Sequence, residues 1–587
     1  VTTKSDTKVE HIRGTRYITE FCLGVIKDFS DMRRSTLEPT WNDCLNAIKG
    51  NDLSYFKKGE AGSSITGRNY VQRVGAQGEQ EEASTSWRSK DKVLLAKTKF
   101  VAATAIAQDM LIRSGDVPFI LLPDPEFPQK DGEKAASYQQ RKIQTQFRDA
   151  KVDRHIKKVI QSMGMYGIGW MNALQFEDFL KGYYELAIAL PEGELPPDVD
   201  ITQFQRYERK TKEVTIPMVN YKSVWNMLWD LEVDNPHTGQ AIIEKALISK
   251  FELFKKKGAQ AYVDESIDLV LKDAKSHGSI NVSDTESLPP SQRNITNRRK
   301  AIIWYRYQGR IPVEAMEEYI EYARSNGAEI DIPHDAIDES GEEIEVDIEI
   351  ANDRLIKFSP NYLGRRTYLC ATWEDILDES YGRGVVENTM YAQQTMTGII
   401  RAALDNARLA GDIMLAKIPG TTPEDDDMSF YPGKQLNVSE HVSDINAAIK
   451  QLIVNDTSDV YLKMIPVIER TVDQNTNLPA IVTGENQPGT SDTAYASGAK
   501  ERKATMYLSG VISNLDENII EPLVEIFYCL NMLESGMSDD MGNFVVNATG
   551  FASFQNTEIK KQNMLARLAT IQQSPEMMQK IDIEYIL

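Results

Sequence analysis

The sequence predicts an α+β protein that is mainly helical, on three observations. Apolar residues recur three and four apart through the first third of the 587-residue chain, the spacing of one buried helix face. The period switches to two near residue 342, as in a strand with one covered face. Helical spacing returns at Gly384 and again after Thr493. The length suits roughly three or four domains, and 41% hydrophobic residues are enough to bury several cores.

Each element follows in order. RYITEFCLGVIKDFSDMRRS (Arg16 to Ser35) and KTKFVAATAIAQDMLIRS (Lys97 to Ser114) predict helices, with a polar loop, Gly78 to Trp87, between them. A third helix is expected over Ala136 to Met163, stopping at GMYGIGW, Gly164 to Trp170. Those glycines follow a helix rather than a strand, so they read as a helix stop and a tight turn, not a dinucleotide fingerprint. An acidic, proline-rich stretch, Leu190 to Asp200, precedes strand-like Val214 to Asp230. Asn281 to Lys300 reads as a polar linker and Ala301 to Gln308 as a strand. EEIEVDIEI, Glu342 to Ile350, places Ile344, Val346, Ile348 and Ile350 on one face. Glu343, Glu345, Asp347 and Glu349 fall on the other, a candidate negative surface. With RLIKFSP and RRTYLCATW, these segments make Lys300 to Asp378 a β-rich module.

Gly384 to Gly411 reads as a helix rich in Ala, Thr and Gly, ended by a glycine. After an acidic loop, Glu424 to Asp427, a helix from about Thr493 to Leu533 is expected to kink at Pro522. Proline removes a backbone bond and clashes with the preceding turn. A strand, Asn543 to Phe551, and a helix, Thr557 to Gln573, complete the reading.

Composition narrows the function. A formal charge of −21 argues against a protein that grips nucleic acid by neutralising phosphates. No run of eighteen apolar residues predicts a membrane span. The chain opens VTTKSDTKVEH, with neither Met nor an apolar core, so no secretory signal is expected and the product is expected to be longer. Cys22, Cys44, Cys370 and Cys529 form no CxxC pair and read as free, mostly buried thiols. The six histidines never stand at metal-ligand spacing, and neither HExxH nor G-x-S-x-G occurs. SxxK at Ser497 to Lys500 lacks its companion motifs. The acidic clusters lack the spacing of a calcium loop and read as solvated faces. No metal or cofactor is expected.

GENQPGTS, Gly484 to Ser491, follows a short apolar run, LPAIV, and differs by one letter from the phosphate-cradling G-x-x-x-x-G-K-[ST]. Thr490 stands where the lysine must reach the outer phosphates, and no apolar strand ending in an acid supplies magnesium's partner. The stretch reads instead as a turn into a helix capped by Thr490, Ser491 or Thr493. Lys500, Arg502 and Lys503 then lie near a helix N-terminus and oppose its dipole. They serve either a polyanion or acidic neighbour, or a solvated face.

Taken in order, these parts resemble the portal, or head-to-tail connector, proteins of tailed bacteriophages, podovirus-like in type. The resemblance is carried by WNDCLNAIKG (Trp41 to Gly50), the MYGIGW turn, YGRGVVENTMYAQQ (Tyr381 to Gln394), and PGTSDTAYASGAKERKATMYLSGVISNLDENIIEPLVEIF with its proline-broken helix. It implies a portal-type subunit with wing, stem, clip and crown regions. Residues 1–250 would be wing, 251–299 the first stem helix and linker, and 300–383 the clip. Residues 384–411 would be the second stem helix, and 412–492 the rest of the wing with the tunnel loop. Residues 493–533 would be the kinked helix from wing to crown, and 534–587 the crown.

The resemblance implies no enzyme but a dodecameric ring at one vertex of the virion, assembled in the bacterial cytoplasm. It would serve genome packaging and ejection. Its partners would be the terminase large subunit, a tail adaptor or head-completion protein, the major capsid and scaffolding proteins, and double-stranded DNA passing without sequence preference, with no membrane. Twelve copies would carry 12 × −21 = −252 formal charges, so phosphate would slide rather than stick. Asn486, Gln487, Thr490, Lys500, Arg502 and Lys503 become the DNA-facing candidates; Glu343, Glu345, Asp347 and Glu349 become channel or clip acids. A nucleotide-hydrolysing packaging enzyme and another structural virion protein stand as alternatives.

Overall fold

The structure is a computed structural model that describes residues 12, 14–53, 89–112, 117–126, 132–188, 205–259, 261–276, 302–325, 337, 341–412, 414–418, 438, 444, 449–476, 506–534 and 542–550. Outside them lie the loop 78–87, the acidic stretch 190–200, the linker 281–300, the acidic loop 424–427, the glycine loop with Lys500 to Lys503, and the helix expected over 557–573. The chain divides into two compact units. One comprises residues 1–41, 100–385 and 502–587, the other residues 42–99 and 386–501.

The first unit is built on an antiparallel five-stranded sheet. In chain order its strands are β4 (Met227–Trp229), β5 (Ala241–Ile248), β6 (Ile302–Pro312), β7 (Glu343–Ala351) and β8 (Arg354–Pro360). The alternation read from EEIEVDIEI holds: Ile344, Val346, Ile348 and Ile350 are all buried. They share a core with Ile243, Tyr307, Leu355 and Phe358, and with α1 (Arg16–Thr36) through Ile18, Cys22, Ile26 and Phe29. At 25 cal/mol per Å², those apolar faces are what holds helix to sheet.

The expected β-rich module does not close on itself. Its strands β6 to β8 continue a sheet begun by β4 and β5, and its last strand, β9 (Tyr368–Thr372), leaves for another. That second sheet runs β3-β2-β9, where β2 is Ile168–Ile188 and β3 is Gln205–Lys222. A helix, α8 (Val313–Ser325), also interrupts the module; its Ala315, Met316, Tyr319 and Ala323 are buried, at the three-and-four spacing that marks it.

The helix expected over Ala136 to Met163 is two helices, α4 (Gly132–Asp149) and α5 (Val152–Tyr166). Lys151 breaks them with φ 52°, a left-handed conformation that stops the ladder. Both arms keep the same apolar period, so periodicity alone runs through the break. The stop at GMYGIGW is as expected: Gly167 caps α5 with φ 85° and its N–H donates to Met163 O. A two-stranded pair, β1 (Phe119–Pro123) with β12 (Phe544–Ala548), completes the sheets of this unit. Two short helices, α6 (Lys250–Lys255) and α7 (Asp264–Ser276), lie between β5 and β6 in sequence.

The second unit contains most of α9 (Val385–Gly411), the pair β10 (Met414–Lys417) and β11 (Ile449–Leu452), and α10 (Ser458–Thr476). Leu95, Met396 and Val472 form its apolar centre. Buried amides hold it too. Gln393 of α9 accepts from Ala96 N at 2.8 Å and donates to Ala47 O at 2.8 Å. Lys99, buried, donates to Asp473 at 2.7 Å. Three of the four cysteines are buried and none is bridged, as expected; Cys529 is exposed. No helix among the described residues is long and apolar enough to cross a membrane.

Candidate functional site

Three of the sequence stretches that stand out as motifs meet in space at the start of α9. Trp41, on α2 (Glu38–Lys49), packs edge-on against Tyr166 at 5.9 Å and against Trp225 at 5.3 Å. Trp229 stacks near Trp41, and Trp170 lies 5.1 Å from Trp229. The early tryptophan segment and the MYGIGW turn therefore share one aromatic cluster. YGRG joins them through backbone. A Cβ on Gly167 would stand 1.8 Å from Gly382 O, and one on Gly384 would stand 2.7 Å from Gly164 O. Only hydrogen fits between these chains. Trp373 N donates to Gly167 O at 2.9 Å, which ties β9 to the same crossing. The glycines of both motifs thus make a close backbone crossing immediately before the 27-residue helix α9.

The kinked helix takes a different form from the one expected. Helix runs over 506–515, widens into a π-turn at Asp516–Ile520, and resumes as α11 (Glu521–Glu534). Glu521 N–H donates to Asp516 O, five residues back. Pro522 follows directly. Its ring would clash with the carbonyl four residues earlier, and the wider turn makes room for it. The break therefore sits one turn before the proline that causes it. Asn514 Nδ2 anchors this segment to β9 and its loop, 2.8 Å from Thr372 Oγ1 and 3.0 Å from Asp375 Oδ1. Arg365 pairs with Glu525, and Glu521 accepts from Ala548 N at 3.1 Å. The helix is thus tied at three points to the sheets around it.

The acids of β7 are corrected by the structure. They do not form a bare negative face. Asp347 is gripped by Arg306 at 2.8 Å and Lys357 at 2.7 Å. Burial alone would raise its carboxyl, but those two cations hold it well below the usual carboxylate range. Glu349 is buried, paired with Lys256 at 2.5 Å, and accepts from Trp304 Nε1 and Tyr262 Oη. Burial opposes its charge, and Lys256, Lys357 and Arg306 more than offset that. Glu345 pairs with Arg366 at 2.7 Å. Glu343 stands opposite Pro312 at the strand's end. On the same face Glu244 takes Lys222 at 2.7 Å and the hydroxyl of Tyr368 at 2.6 Å. The sheet therefore has an apolar face and a charge-matched face.

The cations come from β6, β8 and the residue after α6, so the sequence of β7 alone carries no sign of them. YRYQGR of β6 alternates as strictly as β7. Its register, Arg306 opposite Glu349 and Arg310 opposite Glu345, sets opposite charges side by side. Of the other candidates, Pro522 follows the π-turn and its cap, Glu521. Asn486, Gln487, Thr490, Lys500, Arg502 and Lys503 lie outside the described residues. Among the described residues no group of three or more His, Cys, Asp or Glu is placed to hold a metal ion.

Comparison with known families bears on the same region. The model of a family described as bacteriophage head to tail connecting protein matches residues 346–537. About a third of the chain is thus similar to a phage head-to-tail connector family. The match begins within β7 and runs through β8, β9, α9 and α10 to the end of the π-broken helix. It takes in the YGRG half of the glycine crossing and all of α9. A search of the curated proteins finds no match. By its description, that family links the phage head to the tail.

Proposed function

We propose that this chain is a phage head-to-tail connector, a portal subunit. Copies assemble into a ring at one capsid vertex, which conducts the genome in during packaging and out during ejection. The ring is also the platform on which the packaging motor docks and which tail adaptors later occupy. The observation that carries this reading is the family match, whose span holds the long helix α9 and the π-broken helix. Chemistry is left to a separate motor. The protein's own contribution is shape, charge and rigidity.

Two structural features support a mechanical role. The glycine crossing and the tryptophan cluster hold the backbone rigidly just before α9 begins. Glu345, Asp347 and Glu349 of β7 are matched by cations, so most of any negative lining that DNA meets comes from other residues of this chain. Electrostatic repulsion along such a lining lets the duplex slide, while a few cations steady it. Lys500, Arg502 and Lys503 remain the proposed steadying cations, with Asn486, Gln487 and Thr490 of the preceding loop.

Complementation of a phage lacking this gene tests the assignment. The wild-type chain is expected to restore filled heads. The triple variant Lys500→Glu, Arg502→Glu, Lys503→Glu is expected to enter particles normally but to leave them with shortened or lost DNA. Normal DNA content in the triple variant removes those residues from the DNA path. Filled heads without any connector remove the portal assignment.

A further inference from the structure

The second sheet is three-stranded only at its base. β9 pairs with β2 from Ile168 to Asn172, and beyond that point β2 and β3 continue alone as an antiparallel ribbon. Fourteen residue pairs, from Gln175 with Met218 to Ile188 with Gln205, make up the ribbon, which spans roughly 40 Å at the rise of a strand. Among the described residues, no strand pairs with β2 beyond Asn172 or with the outer edge of β3. Each edge therefore offers a row of backbone donors and acceptors, the template on which a further strand adds. A two-stranded ribbon is marginal in water, and a third strand is what gives such a sheet independent stability.

The two edges differ in sign. Between Gln175 and Ile188, β2 carries Glu177, Asp178 and Glu185 against Lys181. Between Gln205 and Met218, β3 carries Arg206, Arg209, Lys210 and Lys212 against Glu208 and Glu213. The formal charges of these stretches are −2 and +2. A hairpin that matched such charges internally would set opposite signs together, as β6 and β7 do with Arg306 and Glu349. Here the register sets Glu185 opposite Glu208 and Lys181 opposite Lys212, and like charges directly opposed are destabilising. No directly opposed pair of the ribbon joins an acid to a base.

We infer that β3 of one copy pairs along its edge with β2 of the next, so that the ribbons join into one antiparallel sheet around the ring. Opposite signs select this contact, since β2 against β2, or β3 against β3, would set like charges edge to edge. The contact is heterologous, the kind that closes into a ring on repetition. With the ribbons set along the ring axis, rotation from one copy to the next leaves strand direction unchanged. The neighbour's β2 then meets β3 antiparallel, as β3's own partner does. β9 already covers β2 as far as Asn172, which confines the joint to Gln175 and beyond. This joint rests on the ring reading proposed above.

Two charge reversals and their mixture test it on the full chain. Arg206→Glu, Arg209→Glu, Lys212→Glu makes both strands acidic, and Glu177→Lys, Asp178→Lys, Glu185→Lys makes both basic. Each variant alone is expected to form rings at least tenfold less readily than the wild type by mass photometry. An equimolar mixture is expected to recover most of the wild-type yield, with the two chains alternating. Recovery on mixing can come only from contact between copies, because every hairpin in the mixture stays like-charged. Hydrogen exchange of the unsubstituted chain needs no variant: amides of residues 175–188 and 205–218 are expected to slow at least tenfold from dilute monomer to ring. Rings of either variant at wild-type yield, a mixture no better than its parts, or ribbon amides unchanged on assembly overturn the joint while the ring reading stands. Slowing by added duplex DNA in place of assembly overturns it in favour of a nucleic-acid contact. Wild-type monomers at every concentration overturn both.

Discussion

Gly167 has no room for a methyl group. Its φ is 85°, and a Cβ would stand 1.8 Å from Gly382 O. Left-handed backbone alone costs an L-residue about 1–2 kcal/mol, and the clash adds to it. Gly167→Ala is therefore expected to lower stability by at least about 2 kcal/mol, seen as a lower urea midpoint at unchanged slope; a midpoint within error of the wild type would contradict the crossing. His237 offers a pH test at the same scale. Burial, then the guanidinium groups of Arg366 and Arg365, lowers its pKa to about 4. The folded value is depressed below the ordinary one, about 6.5, so the unfolded chain binds the proton more readily between them. His237 therefore costs stability as pH falls from about 6.5 to 4, and little more below that. In His237→Asn, thermal stability is expected to fall less over that window, with the two profiles parallel above pH 7. At this scale the sequence was partly legible. A glycine motif announces a special backbone position, and MYGIGW was read as a turn. The partner carbonyl, more than two hundred residues away, leaves no mark near it.

Elements were legible where a period repeated and illegible where it broke. α1, β6, β7, β8 and α9 follow from spacing because burial selects one face over many residues. The division of α4 from α5 was not, since a single left-handed Lys151 leaves the period intact on both sides. Pro522 announced a break, but not that a π-turn would absorb it one turn earlier. The acids of β7 show the limit most plainly. Alternation placed them on a common face, while their meaning depended on Arg306, Lys357 and Lys256, brought alongside by register and by α6. α9 carries its own test. Gln393 bonds both Ala96 N and Ala47 O, so Gln393→Leu strands a buried donor and a buried acceptor. A loss of about 2–4 kcal/mol is expected, localised by hydrogen exchange to α9, α2 and α3 (Leu95–Leu111). An undiminished melting temperature would mean that the amide does not hold these helices.

At the scale of the whole molecule, the order of motifs carried further than any one of them. The glycine loop resembled a nucleotide site by letters, yet lacked the lysine that such chemistry needs. The connector resemblance rested on parts hundreds of residues apart, and the family match falls across the later ones, residues 346–537. The MYGIGW turn, which lies outside that span, is brought by the fold against its YGRG stretch, and Trp41 packs on Tyr166 of the same turn. In the proposed ring, the channel is formed by neighbouring copies together. Cryo-electron microscopy of the purified full chain therefore tests the central claim most directly. Closed rings with an axial hole, with α9 repeated around the axis, are expected. Monomers at every concentration, or filaments with no closed ring, would contradict it.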